Sequence, residues 1–256
     1  MIKQTQAHDI AVIRSNLLGS QNEILFGFST RQGGFSDSPY DMNLSYKVGD
    51  DHENVCKNRK MFFSTLNINP DRLAIPNQVH GDTVQFVTDP GTFPSCDALM
   101  TNRPNIFLVI TVADCLPIFL FDPTTKSLAA IHVGWRGSVS SILKKTIMGM
   151  QLKYDVRPEN LIAYLGPSAG PCCYEVGHDV AKFFSRQYLI IKNNQKKNFH
   201  LDLKKYNIDL LRGVGVLKKN IEISSQCTIC NPEVFHSYRR DWEKSGRMMG
   251  VIGRVI

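Results

Sequence analysis

Three residues that can ligate a metal, His80, Cys115 and His132, each stand where an apolar run gives way to glycine, aspartate or proline. They occur in NQVHGD, VADCLP and IHVGWRG, 35 and 17 residues apart. This spacing is unlike the local ligand pairs of zinc fingers, so the fold must bring the three side chains together. Two nitrogen ligands and one sulfur ligand, with a fourth position open, would suit a catalytic zinc ion. A metal-dependent catalytic centre is therefore one interpretation of these residues, and a chance grouping among the seven histidines and seven cysteines is the alternative.

The same residues also allow a catalytic centre without a metal. Cys115 would then be a nucleophile and His132 its general base, the pairing found in cysteine hydrolases that cleave amide or ester bonds. Spacing along the chain does not separate these two interpretations.

Two arginines are candidates for binding an anionic substrate group. Arg31 lies in TRQGG, where glycines let the backbone approach a ligand, although an exposed arginine in an ordinary turn has the same pattern. Arg59 falls on the apolar stripe of Val55, Phe62 and Leu66 in a predicted helix. An arginine on a buried face requires an anion, a carboxylate partner or a route by which its head group reaches solvent.

Each of several polar residues near these motifs has two possible roles, one functional and one structural. Asn43 could contact a base or ribose, or cap a turn. Asp114 could orient a ligating histidine or cap a turn. Glu175 is a candidate proton acceptor, with packing or a helix N-terminus as the alternative. Arg239 and Arg240 could bind phosphate or pair with the aspartate that follows them.

The seven cysteines cannot all pair, and the N-terminal residues lack the apolar core of an export signal. Both features favour reduced thiols in the cytoplasm. Cys227 and Cys230 form a lone CxxC, which is a weak signal, and the adjacent Cys172 and Cys173 are expected to pack or line a loop. We therefore predict no second metal site from the sequence.

Composition is that of a globular protein: of 256 residues, 43% are hydrophobic and 21% charged. No apolar run is long enough for a membrane helix, so no membrane partner is expected. The net charge of +7 comes from residues 144–219, which hold 14 Lys and Arg against 6 Asp and Glu. A nucleic-acid-binding module would show such a surplus, but no nucleic-acid-binding motif accompanies it, so a basic surface is the expectation.

Strands and helices alternate irregularly along the sequence. The patterns predict strands at residues 24–29, 97–100, 106–111, 118–121, 128–133, 161–165 and 248–252. They predict helices at residues 54–66, 138–153, 181–184 and 207–217. Because no linker or repeat interrupts them, we expect one domain over residues 1–256, an α/β (α+β) layered sandwich with mixed β-sheets and flanking helices.

Several longer motifs together resemble the laccase-domain purine nucleoside phosphorylase family, formerly labelled polyphenol oxidases. They are FSTRQGGFSDSPYDMNLSYKVGDD, NQVHGDTV, VADCLPIFLFDP, AAIHVGWRG, LGPSAGPCCYEVG and HSYRRD, and the resemblance covers about residues 26–251. The combination of ADCLP with HVGWRG is highly specific.

The resemblance implies zinc ligands at His80, Cys115 and His132, and an active-site environment that includes Arg31, Asn43 and Arg59. It implies phosphorolysis of adenosine, inosine, guanosine and S-methyl-5'-thioadenosine by inorganic phosphate, and deamination of adenosine to inosine. A monomer or small homo-oligomer is expected. Copper is not, because multicopper oxidation requires several centres with many histidines, and the seven histidines show no paired HxH motif.

Overall fold

The computed structural model describes residues 10–191 and 199–256. The strands in these residues are β1 (Val12–Ile13), β2 (Ile24–Ser29), β3 (Leu73–Pro76), β4 (Val84–Phe86), β5 (Gly91–Phe93), β6 (Ala98–Thr101), β7 (Phe107–Val112), β8 (Leu116–Asp122), β9 (Ser127–Val133), β10 (Ile162–Leu165), β11 (Glu175–Val176), β12 (Leu189–Ile191), β13 (Phe199–Leu201), β14 (Ile221–Ile223) and β15 (Met248–Arg254). The α-helices are α1 (Asn16–Gly19), α2 (His52–Thr65), α3 (Trp135–Val139), α4 (Ile142–Tyr154), α5 (His178–Ala181), α6 (Leu203–Gly213) and α7 (Tyr238–Asp241).

Two six-stranded mixed sheets form the centre of the molecule. The first has the order β1-β2-β15-β7-β3-β5 and the second has the order β14-β10-β8-β9-β6-β4. In both sheets the central strands are antiparallel, whereas β3 with β5 and β10 with β14 are parallel pairs near an edge. A small third sheet, β11-β13-β12, follows β10 in the chain.

The sheets pack face to face and helices cover their outer faces. Between the sheets, Phe26 of β2 meets Phe119 of β8 edge-on, with ring centroids 5.0 Å apart. Helix α2 covers the first sheet, and α3 and α4 cover the second. Helix α6 packs against α4, and α5 packs against the third sheet. Strands β8 and β9 are therefore buried on both faces, which explains their nearly continuous apolar sequences. The predicted α/β sandwich of mixed sheets and flanking helices is confirmed.

Gly250, in the centre of β15, lets the two sheets approach closely. A methyl group added there would stand 2.3 Å from the ring of Phe119. We expect Gly250→Ala to lower the free energy of unfolding by about 1–3 kcal/mol, because the core must shift to admit the methyl group. Gly19→Ala is the matched control, since no atom lies within 4 Å of the added carbon. Urea unfolding of both variants measures the difference, and equal stability would contradict close packing at β15.

Three predicted helices differ from the observed ones. The predicted helix 181–184 shares only Ala181 with the observed α5, His178–Ala181. The predicted helix 138–153 is interrupted, because Ser141 has a φ of 62° and separates α3 from α4. The predicted helix 207–217 begins four residues earlier, at Leu203, where the Asp202 side chain accepts a hydrogen bond from the amide of Lys205 and caps the helix. The capping residue thus determined where the helix begins, rather than the spacing of apolar residues on which the prediction depended.

The strand predictions agree with the structure to within two residues at each boundary, and the single-domain interpretation stays a prediction. No helix in residues 10–191 and 199–256 is long and apolar enough to cross a membrane. Three lysines of the basic segment, Lys192, Lys196 and Lys197, lie outside the described residues.

Candidate metal centre and its pocket

The three candidate ligands lie at adjoining chain turns and strand ends. Cys115 directly precedes β8, and His132 lies in the neighbouring antiparallel strand β9, paired with Pro117. His80 lies in a turn after β3 with a φ of 59°, in the left-handed region. The ligating atoms of the three side chains all lie within 4.8 Å of one another. The fold therefore brings together the three residues that the sequence singled out.

A buried carboxylate that sequence reasoning missed, Asp97, positions both histidines. One Asp97 oxygen lies 2.7 Å from Nδ1 of His132. The same carboxylate accepts hydrogen bonds from the amides of Val79, His80 and Gly81, at 3.2, 3.0 and 2.7 Å. Because Asp97 occupies Nδ1 of His132, the other ring nitrogen, Nε2, is left for a metal. Asp97 thus fixes the His132 ring and the turn that carries His80.

The charges of Cys115 and His132 stabilise each other. Burial alone would raise the pKa of the Cys115 thiol, but the charge of His132 and hydrogen bonds with both histidines bring that pKa below its usual value. Burial would lower the pKa of His132, but the Cys115 charge and the Asp97 hydrogen bond raise it. Without a metal, these interactions favour a thiolate at Cys115 and an imidazolium at His132.

The donor set and its surroundings fit a tetrahedral zinc ion with an open position. His132 is buried, Cys115 is half-buried and His80 is exposed, so the group opens toward solvent on one side. A Cβ atom at Gly134 would lie 3.2 Å from Sγ of Cys115 and 3.7 Å from Cδ2 of His80. Glycine therefore keeps the space beside the ligands clear. Neutral imidazole and thiolate are donors that zinc prefers.

These ligands lie at the wall of a cavity of about 820 Å³. This volume is in the range of pockets that bind small molecules, about 300–1,000 Å³. The lining residues that carry a positive charge are Lys47, Arg59, Arg136, Arg239 and Arg247. Tyr46, Trp135, Tyr174 and Tyr238 contribute aromatic surface. The cavity thus combines cations for an anion with flat faces for a ring.

Arg59 reaches this cavity from α2. Its stripe partners Val55, Phe62 and Leu66 are buried, as the helical spacing predicts. The guanidinium lies 5.0 Å from the ring centroid of Tyr46, and its Nη1 donates to the Leu44 carbonyl at 3.2 Å. Burial lowers the pKa of Arg59, but arginine remains charged in proteins.

Arg31 and Asn43 are not among the residues that line the cavity. Arg31 forms an ion pair with Asp41, and its guanidinium also donates to the carbonyls of Pro39 and Pro232. Asn43 is buried and donates to the Ser45 carbonyl and the Asp50 carboxylate. It also accepts from the amides of Ser45 and Arg247. These contacts use the hydrogen-bonding groups of Asn43 within the protein.

Asp114 does not orient a ligating histidine, contrary to one of its two sequence readings. Its carboxylate accepts from the hydroxyls of Thr228 and Ser237 at 2.6 and 3.0 Å, and from the amide of Arg239 at 2.7 Å. It therefore anchors the first turn of α7, whose N-cap residue is Ser237. Asp97 performs the histidine-orienting task instead.

The remaining candidates lie on different sides of the pocket. Glu175 is exposed and lines a smaller neighbouring cavity of about 300 Å³, where its carbonyl accepts from Arg239 Nη1 at 3.0 Å. Arg239 lines both cavities, with its guanidinium 5.3 Å from the Tyr174 ring centroid. Arg240 pairs with Asp241 and donates to the carbonyls of Thr228, Ile229 and Phe235, so it supports the loop.

A second group of potential ligands occurs in the described residues. The Sγ atoms of Cys172, Cys173, Cys227 and Cys230 all lie within 4.8 Å of one another. This group was not predicted from the sequence, because no second pair of ligands for the CxxC motif could be recognised there. The bridge between Ser168 and Cys227 joins the two loops and supplies that pair.

Known proteins resemble this chain over nearly its whole length. The family model described as "Multi-copper polyphenol oxidoreductase laccase" matches residues 25–255. A purine nucleoside phosphorylase of Deinococcus radiodurans is 39% identical over 230 residues, which are 88% of this chain and 87% of that protein. Purine nucleoside phosphorylase YlmD of Bacillus subtilis is 32% identical over 249 residues, 91% and 90% of the two chains.

A solved structure shows the same fold. The crystal structure of YlmD from Geobacillus stearothermophilus superimposes with a TM-score of 0.88 at 30% identity, covering 99% of this chain and 98% of that one. Family model, relatives and solved fold agree over nearly the same residues, and the chain therefore belongs to the laccase-domain family, that of the multi-copper polyphenol oxidoreductase laccase model.

Proposed function

We propose that this protein is a zinc-dependent purine nucleoside phosphorylase. It would convert adenosine, inosine, guanosine or S-methyl-5'-thioadenosine, with phosphate, to the free base and the sugar 1-phosphate, and would also deaminate adenosine. One observation carries the proposal: His80, Cys115 and His132 form an open three-ligand group at the wall of a cationic, aromatic cavity of about 820 Å³. The relatives named purine nucleoside phosphorylase support it.

Zinc would be held by His80, Cys115 and the Nε2 atom of His132. When bound, it supplies a Lewis acid beside the substrate without requiring a redox change. Zinc suits this donor set better than the copper in the family description, because multicopper oxidation requires several centres rich in histidine. The two potential ligand groups within the described residues contain only two histidines between them.

Aromatic residues on the cavity wall would hold the purine base. Tyr46 lies under the Arg59 guanidinium, and Tyr174 lies under that of Arg239, so each offers a flat surface backed by a cation. Burial raises the pKa of Tyr174, which keeps its hydroxyl protonated and able to donate a hydrogen bond. Stacking on such rings is tolerant of base identity, consistent with several purine nucleosides as substrates.

Arg247 is the arginine that we assign to phosphate. It lines the cavity close enough to Cys115 and Asp114 to interact with their charges. Its Nη1 donates to the carbonyls of Ser245 and Gly246, which fixes the guanidinium within the site. A guanidinium held in place binds phosphate through parallel charge-assisted hydrogen bonds.

Arg247→Gln should therefore separate the two reactions. We expect kcat/KM for phosphorolysis of adenosine to fall about 10- to 100-fold, the effect of losing about 1.5–3 kcal/mol of hydrogen bonding to a charged group. Deamination requires no phosphate and should fall much less. Arg212→Gln, at an exposed position of α6, is the matched control. Equal losses in both reactions would argue against phosphate binding by Arg247.

The proposed function is tested by incubating the protein with adenosine, with and without phosphate, and resolving adenine, inosine and hypoxanthine. Adenine and ribose 1-phosphate that form only with phosphate, and inosine that forms in both reactions, would support both activities. If neither phosphate-dependent adenine nor inosine forms, the proposed function is wrong.

A second candidate function has its own supporting observation. Cys115, His132 and Asp97 lie in series: the Cys115 sulfur is close to the His132 ring, and Nδ1 of that ring is 2.7 Å from an Asp97 oxygen, as in a metal-free cysteine hydrolase. Because the lowered pKa makes Cys115 a thiolate at lower pH than an ordinary thiol, we expect iodoacetamide to alkylate it in chelator-treated protein even at mildly acidic pH. Mass spectrometry of the labelled peptide measures this.

The two candidates differ in what zinc does to that alkylation. Zinc bound to Cys115 would protect the thiolate in the untreated protein, as the phosphorylase proposal requires. Rapid alkylation of untreated protein, together with amide or ester hydrolysis, would favour the hydrolase.

A further inference from the structure

Four cysteines come together in a group separate from the first candidate metal centre. Cys172 and Cys173 lie in the loop after β10, and Cys227 and Cys230 lie in the loop between β14 and α7. The Sγ atom of Cys230 is 3.1 Å from that of Cys172 and 3.1 Å from that of Cys173. All four sulfur atoms lie within 4.8 Å of one another. Two loops more than 50 residues apart thus present one group of soft ligands.

We propose that these four cysteines bind a second zinc ion, with a structural role. Zinc with about 2.3 Å bonds to four sulfurs places the sulfurs about 3.8 Å apart in a regular tetrahedron. The observed group needs only small side-chain movements to reach that arrangement, in which the two 3.1 Å contacts lengthen. A site with four protein ligands has no position open for substrate, which is typical of structural zinc.

A backbone amide already points at one of the sulfurs. The Gly170 amide donates to Sγ of Cys227 at 3.2 Å. Hydrogen bonds of this kind orient the ligating atoms of metal sites. The loop that carries Cys172 and Cys173 thus also holds a sulfur atom of the CxxC loop in place.

A buried lysine supplies charge compensation. Four thiolates and one zinc ion carry a net charge of −2, and the adjacent protein must offset it. Lys204 is buried, and its Nζ donates to the carbonyls of Ser224 and Gln226 at 2.6 and 2.8 Å. Gln226 directly precedes Cys227, so the ammonium group is fixed beside the loop that carries two of the ligands.

The geometry favours a common centre over a disulfide. A disulfide requires an S–S distance of about 2.05 Å, which is much shorter than the 3.1 Å contacts that Cys230 makes with its two neighbours. Cys230 is instead equally distant from Cys172 and Cys173, as expected where one ion sits between all of them. Cys172 and Cys230 are exposed, which gives zinc a path to the site.

The two loops joined by this site lead directly into the nucleoside pocket. Tyr174 follows Cys173, and Thr228 lies between Cys227 and Cys230, where its hydroxyl bonds Asp114 at 2.6 Å. Asp114 in turn accepts from the Arg239 amide. A zinc ion at the cysteines would therefore fix the positions of Tyr174 and Arg239 at the cavity wall. The ion itself would not contact the substrate.

Metal counting on single variants tests the second site separately from the first. Purified wild-type protein should contain about two zinc ions per chain. Cys230→Ser should lose about one and keep the zinc of the first centre, whereas Cys115→Ala should lose the other. Cys56→Ser, a cysteine outside both groups, should lose none. We also expect Cys230→Ser to lower the melting temperature by at least about 5 °C.

A measurement on the wild-type chain covers the case in which Cys230→Ser fails to fold. Zinc is replaced by cobalt, and the visible spectrum is recorded for wild type and Cys115→Ala. The intense sulfur-to-cobalt charge-transfer and tetrahedral d–d bands of a four-thiolate site should persist in Cys115→Ala. Their loss in that variant would overturn the proposal.

Three other results would also overturn it: a zinc content unchanged by Cys230→Ser in folded protein, iron instead of zinc at these cysteines, or disulfides in freshly purified protein. Disulfides would lower the intact mass by about 2 Da for each bond.

Discussion

Cys115→Ala is expected to remove the zinc of the first centre and to abolish both phosphorolysis and deamination. The thiolate would be one of three protein ligands, and two histidines alone would hold zinc weakly. Losing several kcal/mol of transition-state stabilisation corresponds to a fall in kcat/KM of at least about 10³-fold. Elemental analysis and adenosine turnover measure the two effects together.

The controls for Cys115→Ala distinguish a lost ligand from a lost fold. Cys115 lies at the start of a buried strand, so circular dichroism and the melting temperature of the variant are measured alongside its activity. Cys56→Ala, on the half-buried side of α2, should keep the zinc. A folded, zinc-free Cys115→Ala that still performs phosphorolysis would show that the reaction does not need this metal.

Asp97→Asn is expected to weaken zinc binding about 10- to 100-fold although Asp97 would not touch the metal. The Asp97 carboxylate is hydrogen-bonded to His132 Nδ1 and accepts hydrogen bonds from three backbone amides of the turn that carries His80. An amide has only one acceptor oxygen, so at least one buried donor would lose its partner at a cost of about 1–3 kcal/mol. Competition with a chelator measures the zinc affinity, and thermal unfolding measures the stability.

Asp82→Asn is the matched control for Asp97→Asn. Asp82 follows the same turn but forms a solvent-accessible ion pair with Lys145. Exposed pairs contribute about 0–1 kcal/mol, so zinc affinity should be nearly unchanged. If Asp97→Asn binds zinc as tightly as Asp82→Asn does, the orienting role assigned to Asp97 is wrong.

The sequence predicted the three candidate ligands that the fold brings together, but not the residue that contacts both histidine-bearing segments. His80, Cys115 and His132 could be proposed from their chemistry and their positions at the ends of apolar runs. For Asp97, the sequence predicted only that it begins a strand. The position of Asp97 beside His132 depends on the register of β6 with β9, in which Ala98 pairs with Ile131. The spacing of residues along the chain does not predict the register of two strands that are distant in sequence.

The same limit applied to arginines and cysteines. The stripe of α2 correctly placed Arg59 on an inward face, because helical periodicity is local. Arg31 lies in a glycine-containing turn that also suggested a binding role. Its guanidinium instead forms an ion pair with Asp41 and hydrogen bonds with two backbone carbonyls. Cys227 and Cys230 lacked partners until the parallel pairing of β10 with β14 brought the two loops side by side.

Zinc held by His80, Cys115 and His132 is expected to make this protein a purine nucleoside phosphorylase. The most direct test of this expectation is the release of adenine from adenosine and phosphate by chelator-treated protein to which one ion, zinc or copper(II), is restored. We predict that activity is lost on chelation and returns with zinc but not with copper. Full activity in metal-free protein, or recovery with copper alone, would contradict this expectation.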